Sequence, residues 1–183
     1  MAEELIDILT EDLKILKTCL KSEVHKNGWF HGSVHIWFYT DNGYILIQKR
    51  AKNKISFPNL WDVSVAGHIS AGENEISSAL REIEEEIGLK VSENNLIKIG
   101  TFKELFQHQE NYIDNEIHHI YLSKLNTDIQ RLKIQEEELS EIKLISIAAF
   151  KKEQKKSNFD KVFVPHKTGY YSFVFAEIEK KIV

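Results

Sequence analysis

Apolar residues along the chain fall mostly in short alternating runs between polar turns, with one long run at helical period in the middle. Leu5 to Leu20 reads as short strands around a polar turn at Glu11-Asp12. Ser33 to Thr40 alternates, with Val34, Ile36 and Phe38 on one side, which predicts a strand. Asp41-Asn42-Gly43 is a hairpin turn, because Asn and Gly accept the positive φ that it demands, and Tyr44 to Arg50 is the partner strand. Phe57-Pro58-Asn59 breaks the pattern before a short strand-like run from Trp61 to Val65. Further strands are expected near Ile97 to Phe106, Glu116 to Ser123 and Lys143 to Ile147, and helices over Ala148 to Gln154 and Tyr171 to Lys181. Strands and helices mix without strict βαβ alternation, so the expected fold class is α/β on a mixed sheet flanked by helices. At 183 residues the chain fits one domain spanning 1–183.

The helical run is bracketed by Asn74, a side chain suited to an N-cap, and by Gly88, suited to the position after the last turn. It predicts a helix over Glu75 to Ile87. With Glu82 at zero on a wheel turning about 100° per residue, Glu75, Glu85 and Glu86 all fall within about 60° of it. Ile76, Ala79, Leu80, Ile83 and Ile87 form an apolar stripe beside that patch. Like charges three and four residues apart repel, so the patch costs stability unless something neutralises it. A hard divalent cation does so: magnesium prefers oxygen ligands and is commonly completed by substrate phosphates.

Composition narrows the functions. A hydrophobic share of 42% and a charged share of 28% are those of ordinary globular proteins. No apolar run reaches the roughly 18 residues of a membrane span, so no membrane partner is expected. The acidic start Met1-Ala-Glu-Glu-Leu lacks the form of a secretory signal, and the lone Cys19 offers neither an internal disulfide nor a cysteine zinc site. A cytoplasmic location is the expectation. The net charge of −4 provides no broad basic surface, so nucleic acid is not expected as a partner.

Gly67 to Leu89 fits Gly-x5-Glu-x7-Arg-Glu-U-x-Glu-Glu-x-Gly-U at every fixed position, where U is a bulky aliphatic residue. Chance agreement is on the order of 10⁻⁹ per starting position. The segment resembles the signature of the Nudix hydrolases. That resemblance implies Mg²⁺-dependent hydrolysis, with Mn²⁺ able to substitute, of a phosphoanhydride in a nucleoside diphosphate linked to another moiety. It implies Glu82, Glu85 and Glu86 as metal-binding carboxylates, the Gly67 carbonyl as a further ligand, and Arg81 with Glu73 as the pair bracing loop and helix. Dimers are common in that family, so a homodimer is expected. The complete set of acids argues against a non-catalytic nucleotide-binding module.

Outside that segment, His31, Gln48-Lys-Arg50, Lys54, Phe57-Pro58 and Trp61-Asp-Val-Ser-Val-Ala-Gly-His68 resemble the branch close to type I isopentenyl-diphosphate isomerase. By this resemblance Arg50 and Lys54 hold a small-molecule diphosphate substrate, and His25, His31 and His68 match metal-coordinating histidines. Among these, His68 is the stronger candidate for a substrate-site residue. Glu116 matches an acid facing the metal and is a candidate general base, alternative to the helix glutamates. Two departures stand out: Ala66 occupies the place of the isomerase's catalytic cysteine, and Pro165-His166 that of its Pro-Trp. A methyl group cannot exchange protons, so the isomerase is the alternative rather than the first reading. His118 and His119 read as structural, and Trp29, Phe30, Trp37 and Tyr112 more readily as core than as base-stacking surfaces.

Overall fold

Strand β1 (Leu5–Leu9) and strand β2 (Ile15–Leu20) form an antiparallel hairpin around the expected polar turn, and helix α1 (Lys21–Asn27) follows directly. The computed structural model describes residues 3–182. Met1, Ala2 and Val183, and with them the beginning of the acidic N-terminal run, lie outside the described residues. Helix α1 was not expected: it has seven residues, no side-chain N-cap, and buries only Val24 and His25.

Strand β3 (His31–Tyr39) leads through the Gly43 turn, where φ is +75°, into β4 (Tyr44–Arg50). The two pair only at Tyr39 and Ile45 and then part. Strand β3 goes on to pair with β6 (Val65–His68) and, in parallel, with β8 (Tyr112–Lys124), which pairs with β7 (Ile97–Gln109). Strand β4 pairs instead with β5 (Trp61–Asp62) and β9 (Leu139–Ser146).

The run expected as one strand from Trp61 to Val65 is therefore broken into β5 and β6, each on a different neighbour. Side chains replace the missing rungs. Asp62 Oδ1 accepts from the Val63 N–H at 2.8 Å. Ser64 Oγ accepts from the Phe38 N–H at 2.8 Å and donates to the Leu46 carbonyl at 2.6 Å. One hydroxyl thus bridges β3 and β4 where backbone pairing has ended.

Both faces of β3 are covered. Val34, Ile36 and Phe38 pack with Leu46 and Val65 against Ala79, Ile83 and Ile87 of helix α2 (Glu75–Ile87). Trp37 and Tyr39 pack with Ile45, Ile47 and Phe150 of helix α3 (Ile147–Glu153), and with Tyr170, Val174 and Phe175 of helix α4 (Tyr170–Glu179). The mixed sheet lies between these helices, as its alternating pattern requires. Among the described residues no helix is long and apolar enough to cross a membrane.

Helix α2 starts and stops where its sequence requires. Asn74 accepts from the N–H groups of Ile76 at 3.0 Å and Ser77 at 2.9 Å, and Gly88 closes the helix in the left-handed conformation. Replacing Asn74 by Ala should cost about 1 kcal/mol, lowering Tm by about 2–4 °C for a domain of this size. A thermal melt followed by circular dichroism checks this, and an unchanged Tm would deny the cap any contribution.

Candidate active site

Residues from both arms of the parted sheet and from α2 line one cleft of about 310 Å³, at the small end for ligand sites. The helix places three of its acids there. Glu82, Glu85 and Glu86 all line the cleft with Gly67, His68 and Arg81. Glu75, on the same wheel face, does not: it engages Lys98, Tyr121 and His119 two turns away.

Arg81 binds this end of the molecule together. Its Nε and Nη2 donate to Glu73 at 3.1–3.2 Å, and its Nη1 donates to Glu82 at 2.7 Å and Glu85 at 3.0 Å. Its Nη2 also reaches the His68 carbonyl at 3.1 Å and Ser70 Oγ at 3.2 Å. Loop and helix are held by a single side chain, whose planar fork suits several carboxylates at once. Burial pushes Glu73 up, but the hydrogen bonds from Arg81 outweigh it and hold the carboxyl below its ordinary range.

Arg81 is not enough for the rest. Glu86 is 3% exposed, and its carboxylate receives one hydrogen bond, a long 3.4 Å contact from the Ala66 N–H. Burial and then the Glu82 charge push Glu86 well above the usual carboxylate range. Burial also raises Glu82 despite Arg81. A buried anion without a cation is costly, so this pair fits a divalent ion held by oxygen ligands. Gly67 has no side chain because Glu82 occupies the space: a Cβ there would collide with its carboxyl group.

A second cluster lies beside the first. One ring nitrogen from each of His25, His31 and His68 lies within 4.8 Å of the others. All three Nε2 atoms are buried without a hydrogen-bond partner. His31 Nδ1–H donates to the Trp29 carbonyl at 2.8 Å, which in the neutral ring leaves Nε2 as the acceptor nitrogen. Burial, then the Lys21 ammonium, push His68 down to about 4. Glu116 Oε1 lies 3.4 Å from Nε2 of both His31 and His68, and its Oε2 lies 3.2 Å from His118 Nδ1. Burial raises Glu116, but its three histidines outweigh that and keep it well below its ordinary range. Three imidazoles with nitrogens close together, and a carboxylate beside them, suit a transition metal or zinc.

Arg50 and Lys54 also reach the cleft. Arg50 donates from Nε to the Ser56 carbonyl at 2.9 Å and from Nη2 to Ser56 Oγ at 2.7 Å, and faces Asp62 at 3.4 Å. Lys54 pairs with Glu138. Lys21, at the start of α1, adds a third cation that sequence reasoning missed. Its only signal was the charge itself, in a segment without a legible helix. His118, read as structural, lines the cleft, whereas His119 turns away to Glu75 at 2.6 Å. Among the aromatic residues, Tyr112 alone of the four candidates lines the cleft, stacked on His25 at 4.5 Å. Trp37 is core, and Trp29 and Phe30 lie under Lys17 and Lys103.

A mixed sheet between helices, with a glutamate patch capped by a glycine loop, defines a class that comparison with known proteins identifies. The family model of the NUDIX domain matches residues 29–167, and the chain belongs to that family. It is 34% identical to a Nudix hydrolase of Clostridium acetobutylicum over 95% of this chain and 96% of that one, and it is accordingly a Nudix hydrolase. It is also 28% identical to the isopentenyl-diphosphate Δ-isomerase of Serratia proteamaculans, over 66% of this chain and 65% of that one, in keeping with the isomerase-like branch. A crystal structure of a Deinococcus radiodurans protein shares the fold, with a TM-score of 0.64 and 17% identity over 80% of this chain and 86% of that one.

The contact between Gly67 and Glu82 yields a test. Gly67→Ala should fold, because the obstacle is the mobile end of one side chain, but Glu82 must swing away from its place. Mn²⁺ affinity measured by calorimetry should then fall about 10–100-fold, the scale for a disturbed ligand shell, with Tm of the metal-free protein within a few degrees of wild type. Wild-type Mn²⁺ affinity would remove Glu82 from the ligand set.

Proposed function

We propose that the protein hydrolyses a phosphoanhydride in a nucleoside diphosphate linked to another moiety, using Mg²⁺ or Mn²⁺. The observation that carries this reading is Glu86, a buried carboxylate beside Glu82 with no cationic partner. Glu82, Glu85, Glu86 and the Gly67 carbonyl would hold the ion. When bound, it supplies charge to the phosphate oxygens and acidifies a water molecule. Arg81 orients Glu82 and Glu85 and, with Glu73, keeps the loop in place.

Arg50 and Lys54, joined by Lys21, offset charge that builds on the leaving phosphate. A helix carboxylate takes the proton from water rather than Glu116, because both Glu116 oxygens already face imidazoles. His68, with His25 and His31, borders the substrate and forms the donor set for a second ion, a reading supported by their three unpartnered nitrogens. The lone Cys19 and the modest negative charge favour work on small diphosphates in a reducing cytoplasm.

The isomerase reading meets Ala66, whose register partner on β3 is His35. No thiol faces the cleft, since Cys19 is not among its lining residues.

Chelator should abolish phosphate release, and Mg²⁺ or Mn²⁺ should restore it. Activity indifferent to chelator would sink the metal site. Glu82→Gln and Glu86→Gln keep shape while removing charge, so turnover should fall at least about 10²-fold. The metal-free Glu86→Gln protein should melt no lower than wild type, because a buried repulsion is relieved. Near-normal turnover by either variant contradicts its assigned role. In heavy water, isopentenyl diphosphate incubated with protein and Mg²⁺ should take up no deuterium on carbon; robust uptake would promote the isomerase over the hydrolase.

A further inference from the structure

Beyond the helix acids the cleft ends on a polar floor that hydrolysis itself does not use. Gln48 lines the cleft and is 1% exposed, yet its amide oxygen has no hydrogen-bond partner among the described residues. On β4 it shares one side with Leu46 and Arg50, since side chains alternate along a strand. Leu46 is core, and Arg50 reaches the cleft, so Gln48 stands at the boundary between them.

Its neighbours are satisfied. Asp62, its register partner on β5, accepts from the Val63 N–H at 2.8 Å and lies 2.9 Å from His166 Nε2. His166 Nδ1 lies 2.7 Å from Glu104, which lies 3.0 Å from His118 Nε2. His118 Nδ1 completes the line at 2.7 Å from Ser33 Oγ. Asp62 and Glu104 share His166, and Glu104 also meets His118, so both acids of this floor have partners. Gln48 is left out of the network.

We infer that Gln48 binds substrate and that the floor takes an uncharged, polyhydroxylated group, the sugar-like part of a diphosphate ester, in preference to a prenyl chain. This rests on the hydrolase reading of Glu82, Glu85 and Glu86. A hydroxyl can donate to the amide oxygen and turn its own lone pairs to the floor. An apolar chain would leave the amide unpaired and cover ion pairs without replacing their water. A site built to hydrogen-bond a hydroxyl rejects analogues that lack it far more strongly than an apolar pocket rejects an extra methylene.

The test compares kcat/KM with Mg²⁺ for UDP-glucose, ADP-ribose and dimethylallyl diphosphate, in wild type and in Gln48→Met. Wild type should favour the better nucleotide sugar over the prenyl ester by at least about 10²-fold, and the variant should lower that ratio at least about tenfold. Its Tm should hold or rise, because an unpaired buried amide is replaced by an apolar side chain of similar shape. A prenyl ester used as well as the sugars, a ratio unmoved by the substitution, or a Tm lowered by many degrees overturns the inference. If no probe is turned over, the hydrolase reading fails separately. Calorimetric binding of UDP-glucose then decides for Gln48: tenfold weaker binding to the variant supports its role, and equal binding overturns it.

Discussion

Two carboxylates that cannot both be comfortable organise this molecule. Glu82 and Glu86 stand on successive turns of α2, largely out of water and against the backbone of β6, and the one guanidinium at hand serves Glu82 and two further acids but not Glu86. An isolated helix would release that repulsion by fraying or by turning its acids to solvent. Here Asn74 and Gly88 cap the ends, and Ala79, Ile83 and Ile87 fasten the other side to the sheet, so the acids have nowhere to go. The stability of the hydrophobic face holds the charged face in an unfavourable arrangement, which makes it receptive to a cation.

The parts legible in the sequence are those whose partners lie nearby along the chain. The whole of α2, its caps, its apolar stripe and its pairing with Gly67 to Glu73 fall within one short segment. The Asn42-Gly43 turn and the alternation of Val34, Ile36 and Phe38 are local too. Residues whose surroundings are assembled by long-range pairing could not be placed from the sequence. His118 looked structural because nothing near it in sequence marks a cleft; parallel pairing of β8 with β3 sets it beside Ser33. The break between Asp62 and Val65 was hidden because every residue there suits a strand, and only the position of β4 and β3 decides which neighbour each half joins. Glu75 shows the converse error: a helical wheel gives direction but not height, and two turns suffice to carry a side chain out of the cleft.

The likeness to the isomerase is one of sequence, 28% identity over about two thirds of each chain. In this chain Ala66 brings a methyl group to the cleft and His166 is held between Asp62 and Glu104, so this part of the cleft offers fixed dipoles and partnered acids. A fold can carry different chemistries through the few side chains that line its cleft, so the activity is argued from the site and not from the fold.

The hydroxyl of Ser64 has a wider consequence. Where two strands are joined by a ladder, their separation is dictated by register, and widening the gap means moving every rung. Here β3 and β4 are joined past their first pair by one oxygen that touches a donor on one strand and an acceptor on the other. The gap between these strands is thus set by that hydroxyl together with the side chains of both strands that share each helix layer. A change at Ser64 therefore acts on both strands at once, through one side chain rather than through a ladder.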